Sequence, residues 1–274
     1  MIDWATEYWL LESQITDVMY SSYWNDEEEE KSKAWYILDG DFSKMENYLE
    51  NTGLIEDLRT CIDILNDQFD RQLAGVGIDL AAGNLWAIPH ILSCSDVRQV
   101  YALEYSKHRL FILGPAVLDH YHVPREKVIL ALGSFYDLKV EDESLDFILM
   151  SQAFHHANDP IRLLEELCRV LKPNGTIIII GEHIIHYYRI LARHILKVIL
   201  SRIVPKNTQT RIFGKVLTKP KLIIPFKTLV PPDPVLGDHC YSDAKYWTLF
   251  SRYGFRVRCV RNRSSQFQSF VLVR

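Results

Sequence analysis

Residues 145–182 read "LDFILMSQAFHHANDPIRLLEELCRVLKPNGTIIIIGE", and this stretch decides the fold. Two apolar runs, 145–151 and 176–181, lack the polar–apolar alternation of a half-exposed strand. Each therefore predicts a strand buried on both faces of a parallel sheet. Between them Asp159 and Pro160 open a helix that runs to about Leu171. The aspartate offers a capping oxygen, and the proline sits where its missing N–H costs nothing. Strand, helix and parallel strand form a right-handed crossover unit.

The same rhythm extends towards the N-terminus. "GVGIDLA" at 75–81, "QVYALE" at 99–104 and "VILAL" at 128–132 predict three more strands, with helical patterns between them. Towards the C-terminus, "SDAKYWTLFSRYGF" predicts a helix closed by Gly254. "FRVRCV" (255–260) and "QFQSFVLV" (266–273) flank "RNRSS", the spacing of a hairpin, so the last strand should run antiparallel to its neighbour. The expected architecture is α/β: a Rossmann-like, doubly wound sheet of seven strands with an antiparallel last strand. A helical, acidic N-terminal segment (1–65) and a helical lid insertion (183–245) are expected around the core (66–182), and 246–274 completes the sheet. The insertion is far too long for a simple crossover.

A chain of 274 residues can bury a core without disulfides or metal. The five cysteines are scattered, with no C-x-x-C pair, which predicts a reducing, cytoplasmic setting and no structural zinc site. The acidic N-terminus lacks the positive region of a signal peptide, and no run of 18 uncharged apolar residues suggests a membrane span. Charge is uneven: residues 1–60 hold 15 acids against 4 bases, whereas 183–232 hold 10 bases and no acid. Such asymmetry marks a partner or an internal attraction.

In open α/β sheets ligands bind beyond the carboxyl ends of the strands, where "GIDLAAGNLW" makes a small-residue turn leading into a helix. The dinucleotide fingerprint G-x-G-x-x-G is not matched, because Ala81, Gly83 and Trp86 occupy its places. Trp86 leaves little room for a pyrophosphate, which disfavours a nicotinamide-dependent oxidoreductase. Glu104 ends the second of these strands, where a carboxylate can accept both hydroxyls of a ribose.

Together, "VGIDLAAGN", "YALE", "GSFYDL", "SLDFILMSQAFHHANDP" and "LLEELCRVLKPNGTIIIIGE" resemble, in order and spacing, the motifs of class I S-adenosylmethionine-dependent methyltransferases of the small-molecule type. The resemblance covers residues 73–182 and, through the final hairpin, 243–274. It implies S-adenosylmethionine as cofactor and methyl transfer as activity. It further implies Asp79, Ala81 and Gly83 in the turn beneath the methionine part, and Glu104 on the ribose. Ser134 and Phe135 would flank the adenine, and Ser151 and Gln152 would line the pocket under the sulfonium. Ala81 stands where the family's first glycine is usual, Leu85 where a glycine opens the helix, and Ser134 where an acid often follows the glycine. If position 81 requires positive φ, alanine there costs about 1 kcal/mol. A binding or scaffold protein that keeps the fold without turnover is the competing reading that these departures motivate.

Methyl transfer needs a general base only when the acceptor arrives protonated, as a hydroxyl does, and O-methylation is the expected reaction. Candidates at strand ends are His155, His156, Glu182 and His183, with His239 from the insertion. For the adjacent pair three roles are open: metal ligand, base or loop builder. Adjacent side chains diverge and no nearby set has ligand spacing, so no metal is expected. One imidazole is expected to shape the loop and the other to touch the acceptor.

The insertion carries Arg189, Arg193, Lys197 and Ser201 at every fourth residue of an otherwise apolar helix. Two readings stand: a lid packed on the core with its basic stripe facing the acidic segment, or an interfacial helix that meets an anionic membrane or lipid-linked substrate through 184–204. Nucleic acid is not expected, given a pI near 6.2 and an acidic segment that repels phosphate. The acceptor is expected to be a small molecule, a sugar or a lipid-linked intermediate.

Overall fold

In the computed structural model the described residues are 3–10, 26–185, 187–205, 208, 237–263 and 267–274. They contain one sheet of eight strands in the order β1-β4-β3-β2-β5-β6-β8-β7. The strands are β1 (Ala5–Tyr8), β2 (Gly75–Leu80), β3 (Val97–Glu104), β4 (Val128–Leu132), β5 (Leu145–Ser151), β6 (Leu171–His183), β7 (Arg256–Val260) and β8 (Phe267–Val273). All neighbouring pairs are parallel except those of β8, which runs antiparallel to both β6 and β7. The expected reversed last strand is therefore present. The sheet has one strand more than expected: β1 lies in the segment read as helical and pairs with the outer edge of β4.

Among the described residues, eight α-helices accompany the sheet. Those before β5 are α1 (Glu27–Lys31), α2 (Ser43–Thr52), α3 (Leu54–Phe69), α4 (Ala87–Leu92) and α5 (Gly114–His120). Those after it are α6 (Pro160–Val170), α7 (Tyr187–Ile203) and α8 (Asp243–Arg252). Helix α3 continues past the expected segment boundary at residue 65, and its buried Leu54, Leu58, Cys61 and Leu65 belong to the core. The Asp159 cap is formed, its Oδ1 accepting from the N–H groups of Ile161 and Arg162 at 3.2 and 3.1 Å.

Strand alternation divides the core into two layers. Phe147 and Leu149 of β5, with Ile178 and Ile180 of β6, face α3. Ile148 and Met150, with Ile177 and Ile179, face α6 and α8. Both faces of these strands are buried, which is why the sequence shows unbroken apolar runs. Residues 172–175, "KPNG", fall between the Leu145–Leu171 and Phe147–Thr176 pairs, so the turn is taken up as an irregularity at the start of β6.

The acidic run 26–30 is not simply solvated. Glu28 and Glu29 pair with Lys31 and Lys33, at 2.6 and 2.8 Å. Glu30 is fully buried and accepts two hydrogen bonds from the Arg109 guanidinium. These acids thus find their partners within the segment and on the chain after β3, rather than on the basic stripe of α7. Removing one partner of a buried ion pair leaves the other charge without compensation. Glu30→Ala should therefore cost about 3 kcal/mol, read as a lowered urea midpoint with unchanged slope.

Candidate active site

The carboxyl ends of β2 to β6 open into a cavity of about 560 Å³. Its first wall is the turn after β2. There Ala81, Gly83 and Leu85 all have positive φ, at 54°, 60° and 65°. The two departures from the glycine pattern thus fall at positions that demand the left-handed conformation. A side-chain carbon on Gly83 would meet nothing within 4 Å, so the bare backbone faces the open cavity. Glu104 fixes this turn. Its Oε2 accepts from Gly83 N at 2.7 Å, and its Oε1 accepts from the N–H groups of Tyr105 and Ser106, each at 2.8 Å. Ser134 and Phe135, after β4, continue the wall.

Asp79 lies at the end of β2 and is almost completely buried, two residues before Ala81. Burial first, and then the nearby Glu104, push its carboxyl well above the usual carboxylate range. Neither carboxylate oxygen has a hydrogen-bond partner among the described residues, and Asp79 does not line the cavity.

The opposite wall is built from the ends of β5 and β6 and from the chain entering α8. Ser151 and Gln152 line it, as do His155, His156, His183 and Asp238. The Ser151 Oγ is buried without a partner among the described residues. His155 is buried with its Nδ1 3.2 Å from Glu182 Oε1, and Glu182 Oε2 accepts from the Tyr246 hydroxyl at 2.6 Å. Burial opposes charge on both members of the His155–Glu182 pair, but their mutual attraction and hydrogen bond prevail. His155 is held above the ordinary imidazole value and Glu182 below the ordinary carboxylate value.

Asp238 Oδ1 approaches His156 Nδ1 to 3.0 Å, a contact not aligned as a hydrogen bond, and its Oδ2 lies 3.6 Å from His183 Nε2. Burial pulls the Asp238 carboxyl up, yet His156 and His183 hold it well below the carboxylate range. The imidazole rings form a compact group, with His155 4.4 Å from His156 and 4.6 Å from His183 between centroids.

Two of the residues expected to do chemistry stand behind the wall. Glu182 is fully buried and touches His155, not the cavity. His239 donates its backbone N–H to the His155 carbonyl at 2.7 Å and sets its Nε2 2.8 Å from Asn158 Oδ1. It pins the histidine loop and does not line the cavity. His186, which makes an H-x-x-H spacing with His183 in the sequence, lies outside the described residues.

A third wall was not anticipated. Lys33, Trp35 and Tyr48 from the N-terminal segment, with Arg109, close over the cavity. Arg109 lies over the Trp35 ring at 5.3 Å, and the Tyr48 hydroxyl donates to Gln152 Oε1 at 2.9 Å, where Gln152 itself has φ of 51°. The concentration of aromatics before residue 50 was the available signal, but no motif attached it to the pocket.

A parallel sheet with a reversed last strand, a bare-backbone turn after β2 and an acid at the end of β3 define a class I S-adenosylmethionine-dependent methyltransferase. The comparisons agree. Residues 78–179 match the family model for a methyltransferase domain. An uncharacterized methyltransferase of Schizosaccharomyces pombe is 31% identical over 117 residues, which are 42% of this chain and 42% of that relative's length. The demethylmenaquinone methyltransferase of Lysinibacillus sphaericus is 24% identical over 195 residues, 69% of this chain and 76% of that one. Among solved structures, mitomycin 7-O-methyltransferase superposes with a TM-score of 0.57 at 12% identity, covering 94% of this chain and 61% of that one. Residues 78–179 thus carry a methyltransferase domain, and the fold around them is the one that class I S-adenosylmethionine-dependent methyltransferases share.

The residues present fit that cofactor. Gly83 leaves a place on the turn that a side chain would fill, Glu104 presents a carboxylate at the ribose position, and Ser151 Oγ is an unmatched polar group on the facing wall. Glu104→Gln keeps the shape but sets an amide N–H against the Gly83 N–H or against the Tyr105 and Ser106 pair. An unmet buried donor costs about 1–3 kcal/mol. Chemical denaturation should read a loss of that size, and S-adenosylhomocysteine affinity by calorimetry should fall with it.

Proposed function

We propose that the protein transfers a methyl group from S-adenosylmethionine to a hydroxyl of a small or lipid-linked acceptor. One observation carries this reading. The cavity wall facing the Glu104 turn holds three imidazoles and a carboxylate, and an alcohol is the acceptor that needs a base. Bound S-adenosylmethionine supplies an electrophilic methyl group on a sulfonium, so the protein mainly aligns and deprotonates. His156 takes the base role. It lines the cavity, and its Nδ1 faces Asp238. His155, anchored by Glu182 and by the His239 backbone, holds the loop in place. Relatives named for O-methylation and for N-methylation both occur, so the choice of oxygen rests on this wall and not on likeness.

Calorimetry with S-adenosylmethionine and S-adenosylhomocysteine tests the cofactor half, and absence of binding at millimolar ligand would sink it. Binding without turnover on any hydroxyl acceptor would favour the scaffold reading instead. His156→Ala should lower kcat by roughly 10²–10⁴ while leaving S-adenosylhomocysteine affinity within twofold.

The lipid-linked half of the acceptor class has its own support. Helix α7 exposes Leu191, Ile195, Leu196, Ile199 and Ile203, while Val198 is its buried apolar residue. Arg189, Arg193, Lys197 and Arg202 lie on the same helix without an acid. An apolar face with basic flanks suits an anionic bilayer surface, and no helix among the described residues is long and apolar enough to cross a membrane. The protein should co-sediment with vesicles containing phosphatidylserine at low salt and be released as salt rises. A protein that stays in the supernatant at low ionic strength removes the membrane from this proposal.

A further inference from the structure

We infer that His155, His183 and Asp238 hold a divalent transition-metal cation on the acceptor wall. One ligand-type atom from each residue lies within 4.8 Å of the other two. Two ligand atoms sharing a tetrahedral cation sit roughly 3.3 Å apart, and the His183 Nε2–Asp238 Oδ2 separation is already 3.6 Å. The set is two imidazoles and a carboxylate, the donor mixture of open divalent sites in which water or substrate completes the coordination. All three residues face the cavity, so the open position lies where an acceptor oxygen would sit.

A further observation points to a cation. His155 has the support typical of a metal ligand. Its Nδ1 faces the fully buried Glu182, which is itself fixed by the Tyr246 hydroxyl, leaving Nε2 for the cation. Metal-bound histidines usually donate their second nitrogen to such a carboxylate, which fixes the tautomer and raises ligand basicity.

This inference rests on the methyltransferase reading only for its use, not for its binding chemistry. The cation would ligate the acceptor oxygen and lower the hydroxyl pKa, as divalent cations do for bound water. The released proton passes to the His156 imidazole and then to solvent. Asp238 is shared: Oδ2 ligates, and Oδ1 faces the base.

The test uses the full chain, dialysed against a chelator and then titrated with zinc chloride, and separately with manganese chloride, by calorimetry. One cation per chain is expected, with a higher Tm on loading that reverses with chelator. His183→Ala and Asp238→Asn should each weaken binding at least 100-fold. Glu182→Gln should weaken it 10–100-fold through the lost second hydrogen bond. S-adenosylhomocysteine affinity within twofold of wild type shows that each variant is folded. If no cation binds at 1 mM, or if binding survives in both ligand variants, the inference is overturned. Metal binding without methyl transfer would leave this site standing and remove the proposed function. Full methyl transfer by the chelated protein would remove the cation's role in the reaction.

Discussion

The Glu104 carboxylate is the constraint on which the rest of the site depends. It ends β3 and binds the N–H of Gly83 beyond β2 and the N–H groups of Tyr105 and Ser106 beyond its own strand. One buried charge thus ties together the two turns at the centre of the sheet. Three residues between 81 and 85 are held at positive φ, a conformation that costs an ordinary side chain roughly 1–2 kcal/mol. Such backbone persists only where its surroundings over-determine it. The cradle is therefore a property of the carboxylate as much as of the glycine.

Much of the fold was legible because strands buried on both faces leave unbroken apolar runs. β5 and β6 announce themselves in this way, β8 through the hairpin spacing, and Asp159 with Pro160 marks the helix between β5 and β6. β1 was not legible. "ATEY" carries no apolar run, and its four residues become a strand only because β4 offers an unpaired edge. Its state is set by tertiary context, which local propensity does not encode. Glu30 is a similar case. Composition places it in a solvated acidic run, yet Arg109, 79 positions later, draws it into the interior.

The two walls of the cavity differ in how far the sequence reveals them. The cofactor wall is made of strand ends and turns, where backbone groups do the binding and residue order tracks position. The acceptor wall is made of side chains that converge from the β5 loop, the end of β6 and the approach to α8. His183 and Asp238 meet across the whole insertion, so no spacing rule joins them. The histidines at 155 and 156 are neighbours in the sequence, yet their rings serve different partners. The roles of Glu182 and His239 as supports behind the wall depend on burial, which residue type does not convey.

The Glu30–Arg109 pair has a consequence for how the protein responds to its ligands. Arg109 faces the cavity, lies over Trp35 and is held by α1. Seating of the N-terminal segment and occupancy of the cavity therefore share the same contacts. Linkage is reciprocal: whatever a bound molecule gains from the docked segment, docking gains from the bound molecule. The segment and the ligand are in effect two effectors of one equilibrium.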